Sequence, residues 1–453
     1  MTKSIFHRRD AEEPQRLRKE APRSFSSEFI SNNIGNVLAL FCVWCFVGSN
    51  ALAQSELTNF NLKPAIAPPA RSLSTVRDAC ANWWTLATAP DNQRQLLVLP
   101  AQAPTAWIAP DIKGVATDNW QRLSADDEGF VWLIGKRTLR FDPRKPDLGA
   151  NEVALPIFKP NPNWQVMTRM PISNHDLTAA VLNGRFYVAG GLTADYGFPA
   201  RSHPFDELWE LNPQTWSWRV AAKLFRDRIY CATAAFDNKI WAIGGDVIEP
   251  DGKRFAVTTI ELIDPRTGKV TRGVDSTIAR PMPLALEANG RLYVMGNARE
   301  QYDQPGKMES IGKGETTWRQ EPDGPAGMGP LAGASLDDKL YVIVPKKGLA
   351  IFDAKASKWE VIVPPGGVPR SCQMAAYRGE IWMLGGQDIE DPKQSLIFNP
   401  RTKQFRQGPS LPRPNSWGAA ATVNGKLIVT GGAALRSNTD RIYIYNDRTF
   451  VLR

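Results

Sequence analysis

Residues 238–246 read NKIWAIGGD, and near-copies stand at 184–192 (GRFYVAGGL), 379–387 (GEIWMLGGQ) and 425–433 (GKLIVTGGA). Each is an apolar strand running into two glycines. Aligned on the first glycine, the copies fall at 190, 244, 296, 385 and 431. Position 135 keeps one glycine, position 344 keeps only the strand, and Leu96–Leu99 is a faint further copy. Successive positions from 135 to 431 are 41 to 55 residues apart. Seven residues before each lies a turn, several of them Asn-Gly, the pair that accepts φ > 0 at both central positions of a type I′ hairpin. Before each turn runs a strand of small residues, such as CATAAF (231–236) and GAAATV (418–423). After the glycines comes a third strand that ends in a turn. A closing Trp, Val or Phe stands six residues on, as in Asn212/Trp218, Asp264/Val270, Asp353/Trp359 and Asn399/Phe405. The unit is thus a four-stranded antiparallel meander of about 50 residues, a period that means a propeller or a solenoid.

Small strand, hairpin turn, glycine pair and "(D/N)PxTxxW" together resemble the kelch repeat, one blade of the kelch β-propeller. The resemblance covers 174–450 as six units and fits 83–170 weakly. There, WQRLSADDEGFVWLIGKRTLRFDP (120–143) is more similar to the blades of two-component sensor propellers. It implies an all-β, kelch-type propeller of seven or eight blades: six in 171–453, and N-terminal blades of the same propeller in 83–170, after a linker at 54–82. The last unit ends in TFVL (449–452), read as its own fourth strand, so closure does not obviously require an N-terminal strand. The glycines are expected to serve the turn between second and third strands. Trp218, Trp318 and Trp359 are expected to be buried between blades.

The N-terminus reads differently. An apolar run of twelve, VLALFCVWCFVG (37–48), is too short to span a bilayer comfortably. Ala51-Leu52-Ala53 follows, and seven basic residues precede it, which predicts a secretory signal cut after Ala53. Export to the periplasm or medium is the expectation, with a membrane anchor at 34–52 as the alternative and no membrane span after cleavage. Beyond residue 53 the chain keeps 48 basic and 41 acidic residues with no basic block, so nucleic acid is not an expected partner. Cys80, Cys231 and Cys372 remain there and allow at most one internal disulfide.

In kelch propellers ligands usually meet the face where first strands begin and second strands end. Lining up that rim gives Asn174-His175, Arg228, Arg280, Met328, Arg370 and Asn415. Three arginines around one mouth predict a clamp for an anion, unless they tie blades together. Asp246, Asn297 and Gln387 follow the glycines on the same face, and the long loop 192–207 adds Tyr196, Arg201 and His203. Beyond residue 53 the only histidines are His175 and His203, with no Cys/His cluster, so no metal is expected. Galactose oxidase shares the kelch propeller, but its copper ligand set is not matched here. Asp126-Asp127 and Asp337-Asp338 fall on the hairpin column and read as turn residues. No G-x-S-x-G elbow, P-loop or dinucleotide fingerprint occurs, so no cofactor is expected.

Two functions follow. One is an exported binding propeller for an anionic small molecule, a glycan, an acidic peptide or another envelope protein. The other is an enzyme acting on an acidic sugar, because the plan is similar to that of the periplasmic sialic acid epimerase, itself a kelch propeller with a signal peptide. Fold alone does not give function.

Overall fold

The computed structural model describes residues 62–453 apart from 65–73, 79–81, 89–91, 101–106, 127–129, 144, 146–147, 155–160, 196–197, 250–252, 328–331 and 436–442; the side chains of 62–64, 194–203, 435 and 443–444 are also outside the description. The signal stretch, the apolar run and Cys80 lie outside the described residues.

Small, β-branched and aromatic residues alternating with turn pairs make the chain all-β, with a short 3-10 turn at Arg299–Gln301. The first kelch unit is a sheet of Ala180–Leu182, Arg185–Ala189, Glu207–Asn212 and Ser217–Lys223, in that order outward. Four more units repeat it, with inner strands Ala232–Phe236, Leu284–Ala288, Gly333–Leu336 and Gln373–Tyr377. The sixth departs from expectation. Its strands are Ala419–Val423, Lys426–Thr430, Arg448–Leu452 and, outermost, Trp164–Arg169. TFVL is therefore a third strand, and the fourth comes from an early part of the chain, paired antiparallel from Trp164↔Leu452 to Arg169↔Arg448.

That strand closes a ring of six. Inner strands of successive units touch in order, and the sixth touches the first. Six apolar clusters fill the gaps between neighbours; Ala419, Ile428 and Val451 of the sixth unit, for instance, pack on Phe186, Val188 and Leu211 of the first. A blade buries its faces only against neighbours, each buried Val, Leu, Ile or Phe being worth about 1.5–3 kcal/mol. The expectation of seven or eight blades is corrected accordingly.

The weak N-terminal units form two further sheets outside this ring. One is five-stranded, built on Thr75–Arg77, Trp83–Thr88 and Arg94–Leu99; the other runs Arg122–Ala125, Val131–Ile134, Thr138–Phe141 and Ala150–Glu152. They share a lock of their own. Asp78 accepts from the Trp84 indole and Asp126 from the Trp132 indole, each at 2.8 Å. Asp126 is thus a turn residue, and Asp337-Asp338, at φ 51° and 57°, occupy a left-handed hairpin turn. Arg77 reaches the ring, donating to the Met170 carbonyl at 2.7 Å and standing 3.4 Å from Asp447.

Candidate functional site

The glycine pair does more than turn the chain. Both glycines are left-handed, at φ 61° and 99° for Gly190-Gly191 and 63° and 93° for Gly431-Gly432. The second amide is thereby aimed at the next blade. Gly191 donates to the Arg228 carbonyl, Gly245 to Arg280, Gly386 to Asn415, and Gly432 to Asn174 across the ring closure, at 2.7–3.0 Å. The first glycine's carbonyl is met from within its own blade by the side chain sixteen residues earlier. Asn174 donates to Gly190 at 2.9 Å, Arg228 to Gly244 at 3.2 Å, Arg280 to Gly296 at 2.8 Å and Asn415 to Gly431 at 3.0 Å.

This settles the arginines. Arg228 is buried and bound to Glu261; Arg280 is buried and 2.6 Å from Glu309, which also accepts from Ser276 and Thr277. Arg370 stands one residue out of that column. Its backbone pairs with Gln387, as His175 pairs with Leu192 and Ile229 with Asp246. A one-residue shift turns the side chain to the other side of the strand, so Arg370 is half exposed and paired to Asp388 at 2.7 Å. The three guanidinium groups do not converge, and each has its own carboxylate. The expected anion clamp of Arg228, Arg280 and Arg370 is corrected: these are struts. Asn297 is likewise a turn brace, donating to the Gln301 and Gln304 carbonyls. Gln387 is half-buried beside Arg370. Met328, Tyr196 and the side chains of Arg201 and His203 lie outside the described residues.

The position two residues further on carries the chemistry. Asp176, Tyr230, Ser371 and Trp417 stand fourteen residues before their glycines. All four are left-handed, at φ 55–65°, a conformation non-glycine residues seldom adopt and one that gathers at functional sites. With Met282 they line a cavity of about 50 Å³ at the mouth of the axis. Asp176 is buried there beside the Tyr230 phenol, yet neither of its oxygens has a well-aligned hydrogen bond; His175 Nδ1 stands 3.1 Å from Oδ1 at a poor angle. Ser371 Oγ also has no partner. The His175 ring stacks on Tyr445 at 5.2 Å. Burial, and then Asp176, push the Tyr230 phenol well above its ordinary value. The Arg254 guanidinium lies 5.2 Å from the Tyr230 ring centroid and binds Asp246. Asp246 is fully buried and also binds Arg299 at 2.6 Å, leaving its Oδ1 unpartnered. Cys231 and Cys372 are free and buried, and burial pushes their thiols up to about 11 and about 12, which suits core residues rather than nucleophiles. Among the described residues no His/Cys/Asp/Glu group could hold a metal, and no helix is long and apolar enough to cross a membrane.

Of the mouth, sequence reasoning found His175 and Asp246 and missed Asp176, Tyr230, Ser371 and Trp417. The missed column shows no shared residue type. Its signal is that variability, set inside an otherwise repeated frame.

The comparisons agree with this architecture. Residues 174–224 match the Kelch motif family. Kelch-like protein 36 of Rattus norvegicus is 22% identical over 277 residues, which are 56% of this chain and 43% of that protein. Alpha-scruin of Limulus polyphemus is 20% identical, over 40% of this chain and 20% of its own length. The chain thus spans less than half the length of these relatives. The solved structure of YjhT superposes with a TM-score of 0.51 at 14% identity, covering 64% of this chain and 100% of that one, a likeness of fold. The glycine corners, closing tryptophans and ring of repeated blades are those of kelch repeats, which residues 174–224 match directly.

Proposed function

We propose that this protein is a binding module whose ligand meets the face bearing Asp176, Tyr230 and Trp417, and that it works at the cell envelope after export. The observation that carries this reading is the size of the axial cavity. About 50 Å³ does not enclose a sugar ring, whereas small-molecule sites run roughly 300–1,000 Å³. A ligand there lies on the face, as a glycan or a partner protein does. Unfilled acceptors on Asp176, Asp246 and Ser371 favour a ligand rich in hydrogen-bond donors over an acidic peptide. Phe225 and Phe255 add exposed apolar surface nearby, with Arg226 over the Phe255 ring. A photo-crosslinking residue at Phe255 should capture the envelope partner or glycan, while one at exposed Val166, on the outer strand of the sixth blade, should not. Equal capture at both would remove the reading. Material from the envelope should begin at Gln54; an intact Met1 would favour an anchor at 34–52.

A second reading, an enzyme on an acidic sugar, has one observation in its favour. Arg254 and Arg299 share the single carboxylate of Asp246, leaving one positive charge for a ligand carboxylate on the face that carries His175. Saturation-transfer NMR of sialic acid would decide. Anomer exchange faster than in buffer, and lost in Arg299→Ala, would favour the enzyme.

A further inference from the structure

We propose that the axial mouth is a socket for one primary ammonium group. The inference deepens the docking-face reading by naming the chemistry that enters the axis. Asp176 is the sole charged side chain among the described residues lining the cavity. Its side chain is 1% exposed; the Tyr230 phenol faces it as a neutral donor, but neither oxygen has an aligned hydrogen bond and no cation neutralises it. A buried carboxylate left so is costly, and a positively charged donor is what relieves it. Arg254, over the Tyr230 ring, is already committed to Asp246. His175 approaches with a ring nitrogen that does not point its hydrogen at the carboxylate and that carries charge only when protonated.

Size and walls narrow the occupant. About 50 Å³ holds a compact head group and excludes a guanidinium with its planar fork together with the waters it would displace. Tyr230 and Trp417 supply aromatic wall, which attracts an ammonium and its adjoining methylenes. Ser371 Oγ, unpartnered at the same wall, accepts the third N–H. An ammonium has three donors: two go to Asp176 and one to Ser371. The alkyl stem leaves along the axis, as a lysine side chain of a partner or a free alkylamine would.

The experiment is calorimetric titration of the full-length protein with n-butylammonium chloride and with Nα-acetyl-lysine N-methylamide, each against sodium chloride at matched ionic strength. Saturable one-to-one binding is expected, weakened about tenfold or more in Asp176→Asn, the loss of a charge-assisted hydrogen bond. Asparagine tolerates the left-handed backbone of Asp176, so this variant should fold, checked by circular dichroism. Binding of both probes supports a lysine-type stem; binding of butylammonium alone supports a small amine; either supports the socket. No saturable binding, equal binding by Asp176→Asn, or equal occupancy by sodium overturns it. Should Asp176→Asn not fold, Ser371→Lys keeps the test: a tethered ammonium should abolish binding of the free amine and raise Tm, and undiminished binding of the free amine overturns the proposal. Because no partner is used, failure here leaves the crosslinking result at Phe255 to stand or fall separately.

Discussion

A single methyl group separates a glycine corner from a broken one. A Cβ on Gly431 would sit 2.6 Å from the Asn174 carbonyl oxygen, on a backbone at φ +63°. Gly431→Ala should cost about 1–3 kcal/mol from backbone strain alone, read as a lower urea midpoint with unchanged slope. The arginines separate in the same way. Arg228→Met strands buried Glu261 and should cost about 3–5 kcal/mol, whereas Arg370→Ala loses a half-exposed pair and should cost at most about 1 kcal/mol. Equal losses at both would contradict the column assignment. Burial works against the Glu309 charge, but Arg280, Ser276 and Thr277 win and hold its carboxyl below the usual carboxylate value. A depressed acid contributes stability above its unfolded value, near pH 4.3, and loses it as pH falls through the folded value. Glu309→Gln should therefore lower Tm at neutral pH and flatten the acid limb of a Tm-against-pH curve. Spacing alone showed that arginine recurs here. It could not show that sixteen and fifteen residues are opposite sides of one strand, nor which carboxylate waits on the next.

At the level of the element, the closing tryptophan is a latch to the preceding blade. The Trp218 indole donates to Thr449, Trp318 to the Val274 carbonyl, Trp359 to the Pro322 carbonyl and Trp164 to the Pro409 carbonyl, at 3.1–3.4 Å. The sequence expectation that Trp218, Trp318 and Trp359 lie between blades holds in position, but all three are half-buried. Their loss to Ala should therefore fall below the 3–5 kcal/mol of a fully buried site, at about 2 kcal/mol. Trp→Phe should cost about 1 kcal/mol for the hydrogen bond. Denaturant melts of the six variants check both. The latch also explains the misread last blade. NPNWQV (161–166) carries only a shortened form of the closing signal, Asn-Pro with the Trp three residues on instead of six, Asn161 accepting from the Trp164 amide at 3.0 Å. It stands far from the repeat it completes, so a search for local units leaves it unassigned.

The whole molecule is a ring whose closure is not local in sequence. A truncation beginning at residue 161 should keep the six-bladed ring and a single cooperative melt, while one beginning at 171 removes Trp164–Arg169 and should aggregate or melt far lower. Sedimentation and calorimetry of the two would separate a ring of six from one needing the N-terminal sheets. Those sheets bear on the closure itself, since Asp447 is shared between Arg77 and Arg169. The sequence made repeat and fold class legible because strand alternation and turn chemistry are local; blade number depends on which distant edges meet. That separation sets a clock. Arg169 and Asp447 are 278 residues apart, so at roughly 5–20 residues per second the ribosome delivers the partner edge about 14 to 56 seconds after the closing strand has appeared. Throughout that interval an early strand has its backbone donors unmatched and the first blade has one flank bare. Production of this chain should then be sensitive to elongation rate, with fast synthesis shortening the exposure and crowded, slow synthesis inviting edge pairing between nascent copies.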